Sequence, residues 1–300
     1  MGFSSIDDYV SEVTTNGKFW RADWNKITGS VAYTAGNWYD LSPLAGTPTA
    51  NAWTGTALNA QVPTEATGFG IYHGGNVSTD TKHLMNIGAY SAVATAVPGV
   101  LMLVDVAMYY PGINLLTTTA AQTLTNGVSL TRHTTGAGLR PFMVSTALTG
   151  TPTGTPVMTM SYTNQAGTAG RALGATVNFT AGAANIPTPG KIAHSGVAAN
   201  NYGPFLPLQA GDTGVRSVQS VTMTTNYGGA TTITGALVLA KPLATLPIVA
   251  ASVAAERNLM TQLPSLPKIE DGACLAWLYF PGAATAASSS LFGYCDFAWG

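Results

Sequence analysis

Along most of this chain hydrophobic and polar residues alternate with the two-residue period of strands. The clearest run is residues 202–243, YGPFLPLQAGDTGVRSVQSVTMTTNYGGATTITGALVLAKPL. A short apolar run at 205–208 is closed by the turn residues Gly211, Asp212 and Gly214. Val215, Val221 and Met223 then share one face of a segment rich in Val and Thr. Asn226, Tyr227, Gly228 and Gly229 predict a second turn. Beyond it Ile233, Leu237 and Leu239 share one face, with Thr232, Thr234 and Val238 opposite, until Pro242, lacking an N–H, is expected to end the ladder. The pattern predicts a strand, turn, strand, turn, strand meander with one buried face.

Residues 99–110, GVLMLVDVAMYY, are apolar on both faces, which predicts a central strand between two layers. Asp105 within it needs a partner, because an unpaired buried carboxylate is costly, and Arg132 and Arg140 are the candidates. Residues 158–162 alternate again; with the turn at 164–167 and a return strand reaching Phe179, they predict a hairpin. A closing hairpin is expected from 274–280 and 291–299, joined by a loop of small residues over 281–290. Earlier, strands are expected to start at 68–73, after a long connection over 31–66 pinned by Trp38, Tyr39 and Trp53. The Pro/Gly-rich segments 150–156 (GTPTGTP) and 181–201 read as links.

At the N-terminal end Ser4 and Asp7 form a variant capping box, and Ile6, Tyr9, Val10 and Val13 recur at helical spacing before Asn16-Gly17. A helix of about ten residues is too short to stand alone and must dock. Phe19, Trp20 and Trp24 follow, interleaved with Lys18, Arg21, Asp23 and Lys26. This aromatic, charge-dense piece is expected either to fold over its own domain or to reach a neighbouring subunit through Ile6, Tyr9, Val13, Phe19, Trp20, Arg21 and Trp24. The expected architecture is all-β: a jelly-roll-like β-sandwich over 67–300, with a candidate division near 196, preceded by an N-terminal helix and extended arm over 1–66.

Composition sharpens this picture. Charged residues make up 8% of the 300, against about 25% in ordinary globular chains, and about 40 threonines stand in their place. A surface so poor in charge has little self-repulsion, which fits an exterior largely covered by copies or partners. A net charge of −1 and no Lys/Arg cluster argue against direct nucleic-acid binding. Residues 1–10 show neither a basic nor an apolar leader pattern, and Ile6 stands where a myristoylation motif needs Ser or Thr, so no export address is expected. The apolar runs 97–110 and 243–255 are too short or interrupted for a membrane span, broken by Asp105 and Pro247. Cys274 and Cys295 fit small, buried, free thiols.

Candidate chemistry is sparse. His73, His83, His133 and His194 lack a zinc-ligand spacing, and Asp80 with His83 reads as loop, so no metal or cofactor is expected. His73-Gly74-Gly75 has the look of an esterase oxyanion segment, but no G-x-S-x-G elbow accompanies it. A carboxylate pair for glycoside hydrolysis is left open among Asp40, Glu65, Asp80, Asp105, Asp212, Glu256, Glu270, Asp271 and Asp296. Trp38, Trp53 and Trp277 are candidates for a sugar-binding groove.

Four pieces, SIDDYVSEVTTNGKFWRADWNKITGS, FLPLQAGDTGVRSVQSVTMT, PSLPKIEDGACLAWLYFPG and FGYCDFAWG, resemble those of virion structural proteins of tailed bacteriophages. The resemblance implies a non-enzymatic particle component, made in the host bacterial cytoplasm and used in many symmetric copies, with no catalytic residues. We therefore expect a capsid decoration or cement protein that contacts copies of itself, as a trimer, and the major capsid protein or other virion proteins. The alternative is a tail- or fibre-associated β module that binds a host carbohydrate or receptor.

Overall fold

The computed structural model describes residues 2–28, 33–65, 69–92, 98–116, 120–153, 157–175, 177–178, 190–193, 203–224, 228–263, 265–285 and 289–300. In chain order the elements are α1 (Ile6–Thr14), β1 (Phe19–Ile27), β2 (Tyr39–Asp40), β3 (Ala45–Thr47), β4 (Lys82–Ser91), β5 (Gly99–Asn114), β6 (Gln122–Thr123), β7 (Arg140–Thr153) and β8 (Val157–Asn164). They continue with β9 (Arg171–Ala172), β10 (Val177–Asn178), β11 (Val215–Met223), β12 (Gly228–Ile248), β13 (Ala255–Asn258), α2 (Leu259–Gln262), β14 (Lys268–Ile269), β15 (Leu275–Pro281) and β16 (Ser290–Trp299). The class is all-β with a short N-terminal helix, as the periodicity predicts.

The long strands β5 and β12 lie at the centre of a sheet ordered β2-β15-β5-β12-β7. Near one end of β5, Leu101 and Leu103 join Leu275, Trp277 and Tyr279 of β15 and Ala244, Leu246 and Ile248 of β12 in a core shared with Trp24, Leu84, Ile87, Leu291 and Phe297. Those last five belong to a second sheet, β13-β4-β16-β1-β3, with β14 on β4. Further along, Met108 and Tyr110 of β5, Leu237 and Leu239 of β12 and Met143 of β7 meet Met158, Met160, Tyr162, Val215, Val218 and Val221. These come from a third sheet, β10-β8-β11-β6, with β9 on β8. Interleaved residues such as Val104, Val106, Phe142, Val238, Cys274 and Leu278 form a third core closed by Trp53, Phe69, Ile192 and Phe205 from the connections. One face of the central sheet thus carries two smaller sheets side by side, and the other is sealed by loops. A register shift at Pro242/Ala244 puts an extra residue in β12 and one at Leu239/Ala240 puts an extra residue in β5, so that both long strands keep the two cores on the same face.

Several expectations are corrected. The run 205–208 is not a strand, and β11 and β12 form no meander: β11 pairs with β8 and β6, β12 with β5 and β7. Strand β12 continues through Pro242, because its pairing with β7 ends at Ala240 and beyond that point it has one registered neighbour, so a missing N–H costs little. Likewise residues 150–153 of the supposed link are ladder, tolerated because β7 is an edge strand. Strands β15 and β16 are not a hairpin. They belong to facing sheets, which leaves Cys274 and Cys295 buried and free in different cores. The segment 69–73 holds only an isolated bridge from Ile71 to Leu275, and the strand there is β4.

The hairpin at 164–167 is present, its return strand split into β9 and β10. Phe179, the turn residues Asn226 and Tyr227, His194 and most of 181–201 lie outside the described residues. The expected division near 196 also lies outside the described residues; β5 and β12 run through both cores along the sheet. No described helix is long and apolar enough to cross a membrane.

Candidate interaction surface

The cap of α1 sits one residue later than the sequence suggests. Ser5 is the N-cap and its Oγ accepts from the Asp8 N–H at 3.0 Å, while the Ser4 N–H and hydroxyl both donate to Asp8. The helix docks lightly. Phe3 meets Tyr9 edge-on at 5.1 Å and packs on His83, and Lys18 bridges Glu12 at 2.9 Å and Asp80 at 2.8 Å. Tyr9 and Val13 are half-buried, whereas Ile6 and Val10, one helical turn apart, are 72% and 48% exposed.

The following segment, expected as an extended arm, is β1, held between β16 and β3. Its alternation sends Ala22, Trp24 and Lys26 inward and leaves Phe19, Arg21 and Asp23 outside. Trp24 is therefore part of the chain's own core, 5.2 Å from Trp277, and offers no free surface to a neighbour. Arg21 donates from Nε and Nη2 to the two Asp296 oxygens at 2.7 Å each and lies 4.2 Å over the Tyr294 ring. Trp20 is 40% exposed, its indole N–H donates to the Tyr72 carbonyl at 3.0 Å, and the two rings meet edge-on at 5.2 Å. A groove of about 520 Å³ runs beside them, lined by Trp20, Thr47, Pro48, Glu65, Ile71 and Tyr72. Ile6, Val10, Phe19, Trp20 and Tyr72 are the large exposed apolar side chains of α1, the start of β1 and the loop facing it.

The acids left open as a hydrolytic pair are each engaged. Asp105 accepts from Arg132 Nε at 3.0 Å and from the Cys274 N–H at 3.0 Å, and it lies 2.9 Å from His133 Nε2. Arg132 also donates to the Pro63 and Val106 carbonyls, so Asp105 has the first of its two expected partners; Arg140 instead lies over Phe205. Burial alone would raise the Asp105 carboxyl, but the His133 hydrogen bond and the Arg132 charge outweigh it and hold it below the ordinary carboxylate range. Asp212 is held down at about 2, first by the Arg171 hydrogen bonds and then by those of Tyr162 and Asn164. Asp40 accepts from Trp53 Nε1 at 2.6 Å and from the Ser42 N–H. Asp271 accepts from Val77 N–H, Glu270 pairs with Lys268, and Glu256 accepts from Asn86.

His73-Gly74-Gly75 is organised around a buried lysine. Lys82 Nζ donates to the His73 and Gly75 carbonyls, while Glu65 accepts the His73 and Gly75 N–H groups. Two of the loop's three backbone donors are thereby taken up. Burial pushes Lys82 down to about 8. Asp80 and His83 are not brought together, and among the described residues no group of three His, Cys, Asp or Glu is placed to hold a metal. Trp53 and Trp277 are buried, which removes both from any sugar groove; Trp38 packs against Phe280.

Pattern reading missed Tyr72, Tyr90, Phe292 and Tyr294. The last two were legible: in 291–299 Phe292 and Tyr294 alternate with Leu291, Gly293 and Cys295, and Leu291 and Cys295 enter the core.

No family model matches the chain, and no curated protein matches it. Among solved structures it is similar to one of infectious bursal disease virus, Gt strain, at 9% identity and a TM-score of 0.18, covering 97% of this chain and 86% of that one. A crystal structure of the infectious bursal disease virus VP2 subviral particle gives 8% identity and a TM-score of 0.18, covering 96% and 85%. Superpositions this loose define no common fold and transfer no function.

Proposed function

We propose that this chain is a non-enzymatic structural component of a bacteriophage particle, assembled in the host cytoplasm, and that it acts as a capsid decoration or cement protein. The observation that carries the reading is the set of large apolar side chains left exposed near the N-terminal end, Ile6 and Val10 on α1, Phe19 and Trp20 at the start of β1 and Tyr72 against Trp20, on a molecule whose surface has very little charge to keep it dispersed. The few charges nearby are largely compensated within the chain, Arg21 by Asp296 and Lys18 by Glu12 and Asp80. Such a surface is suited to being covered by copies of the same chain and by coat subunits, and a trimer is the assembly we expect. The resemblance of the four sequence pieces to tailed-phage virion proteins supports the same reading. Its test is stoichiometry: the chain should be present in purified particles in many copies, and free in solution should have three times its 30.8 kDa mass. Absence from the particle, or a monomer that Trp20→Ala leaves unchanged, would count against it.

A further inference from the structure

The outward face of β4, β16 and β13 carries a feature distinct from those exposed apolar side chains. Tyr90 and Phe292 are cross-strand partners with stacked rings, centroids 5.2 Å apart and planes 19° off parallel. Two residues on, Tyr294 pairs with Gly88, and its ring lies across that glycine, where a Cβ would fall on the ring carbons. Around these rings opens a trough of about 430 Å³, bounded also by Asp23 and Glu256 and floored by the small residues Ala89, Ala255 and Gly293. The volume is within the roughly 300–1,000 Å³ of small-ligand sites. Glu256 is fixed in place, since Oε1 accepts from Asn86 Nδ2 at 2.6 Å and the Tyr294 hydroxyl also bonds to it. Arg21, the cation packed on Tyr294, is committed to Asp296.

An exposed ring, Tyr90, beside the half-buried rings of Phe292 and Tyr294, over a small-residue floor and edged by carboxylates, suits a pyranose. The C–H face of the sugar lies against the rings while its hydroxyls donate to Asp23 and Glu256. Two carboxylates with no uncommitted cation among the trough's lining residues disfavour an anionic sugar. We propose that this trough binds an uncharged hexopyranose oligosaccharide. The inference does not rest on the particle reading: the rings of the trough are remote from Trp20, since Phe297, which pairs with Trp20, is five residues along β16 from Phe292, about 17 Å at the strand rise, and only Asp23 lines both the trough and the groove beside Trp20.

The test is calorimetric titration of the full chain with maltohexaose, cellohexaose and chitohexaose, with tri-galacturonate as the anionic control. At least one neutral oligosaccharide should bind saturably and tri-galacturonate should not. Phe292→Ala should weaken binding about tenfold, equivalent to about 1.4 kcal/mol. Glu256→Gln keeps the shape of an exposed side chain, so it decides the matter if the alanine variant folds poorly, and it should weaken binding several-fold. If none of the three neutral sugars binds by about 10 mM, well past a millimolar Kd, the proposal is overturned. Binding that both substitutions leave unchanged would overturn it equally.

Discussion

Asp105 is an acid in the middle of the most apolar strand of the chain, and its neighbourhood explains how it is tolerated. Arg132, His133 and the Cys274 N–H satisfy the carboxylate, and Arg132 spends its remaining donors on backbone carbonyls. Removing one member of such a buried pair leaves an uncompensated charge, so Asp105→Asn should cost about 3–5 kcal/mol in urea unfolding; a loss under about 1 kcal/mol would mean that the pair is not buried as described. The acid response follows from the same group together with Asp212. Both carboxyls are lowered in the folded chain, below a normal value near 3.8, so the stability they contribute is present above that value and is lost as pH falls through the folded pKa. Melting temperature should therefore drop between about pH 4 and pH 2, and the drop should be shallower in Asp105→Asn. A flat profile over that interval would contradict the assignment. The need for a partner was legible in the sequence, and so was Arg132; His133, the residue beside it, was not singled out because nothing in its spacing marks it.

At the scale of elements, the glycines of the outer sheet set how its strands approach. A Cβ on Gly293 would run into the Gly88 carbonyl oxygen and the buried Trp24 ring, neither of which can move away cheaply. At Gly88 the obstacle is the outer end of the Tyr294 side chain, which can swing out. Gly293→Ala should therefore destabilise the chain by about 1–3 kcal/mol, while Gly88→Ala should leave unfolding nearly unchanged and displace Tyr294 from the trough. Equal costs in chemical denaturation would show that the close approach is not what matters. Strand β8 and the helix were readable because their periods are regular, and β5 and β11 from their apolar and Val/Thr-rich content, although register shifts break the period of both and bring Val218 into the same core as Val215 and Val221. Strand β4 was not: Leu84 and Ile87 both point inward but are three apart, because a bulge opposite Asp296/Phe297 breaks the two-residue period. Pairing was less legible than strand identity. Consecutive strands such as β15 and β16 have two apolar faces or one, and that pattern states how deeply a strand is buried but not which sheet it joins.

For the whole molecule, β5 and β12 pass through both cores, so the two smaller sheets share their support. Unfolding should be a single cooperative transition, with Leu103→Ala in one core and Val218→Ala in the other moving the same midpoint; two separate transitions would indicate independent units. Of the contact residues expected from the sequence, Phe19 and Trp20 keep exposed faces, as does Ile6 on the helix, whereas Trp24 belongs to the interior. The sparse charge was plain from composition, but the meeting of Trp20 with Tyr72 could not be read from it, because the start of β1 and the loop at Tyr72 are brought together only by tertiary structure. Under the proposed role, α1 and the start of β1 are covered in the particle. Amide hydrogen exchange compared between the free chain and intact particles tests it most directly. Exchange should be slower in the particle across Ile6–Thr14 and the first half of Phe19–Ile27, and identical exchange in the two samples would overturn the proposed role.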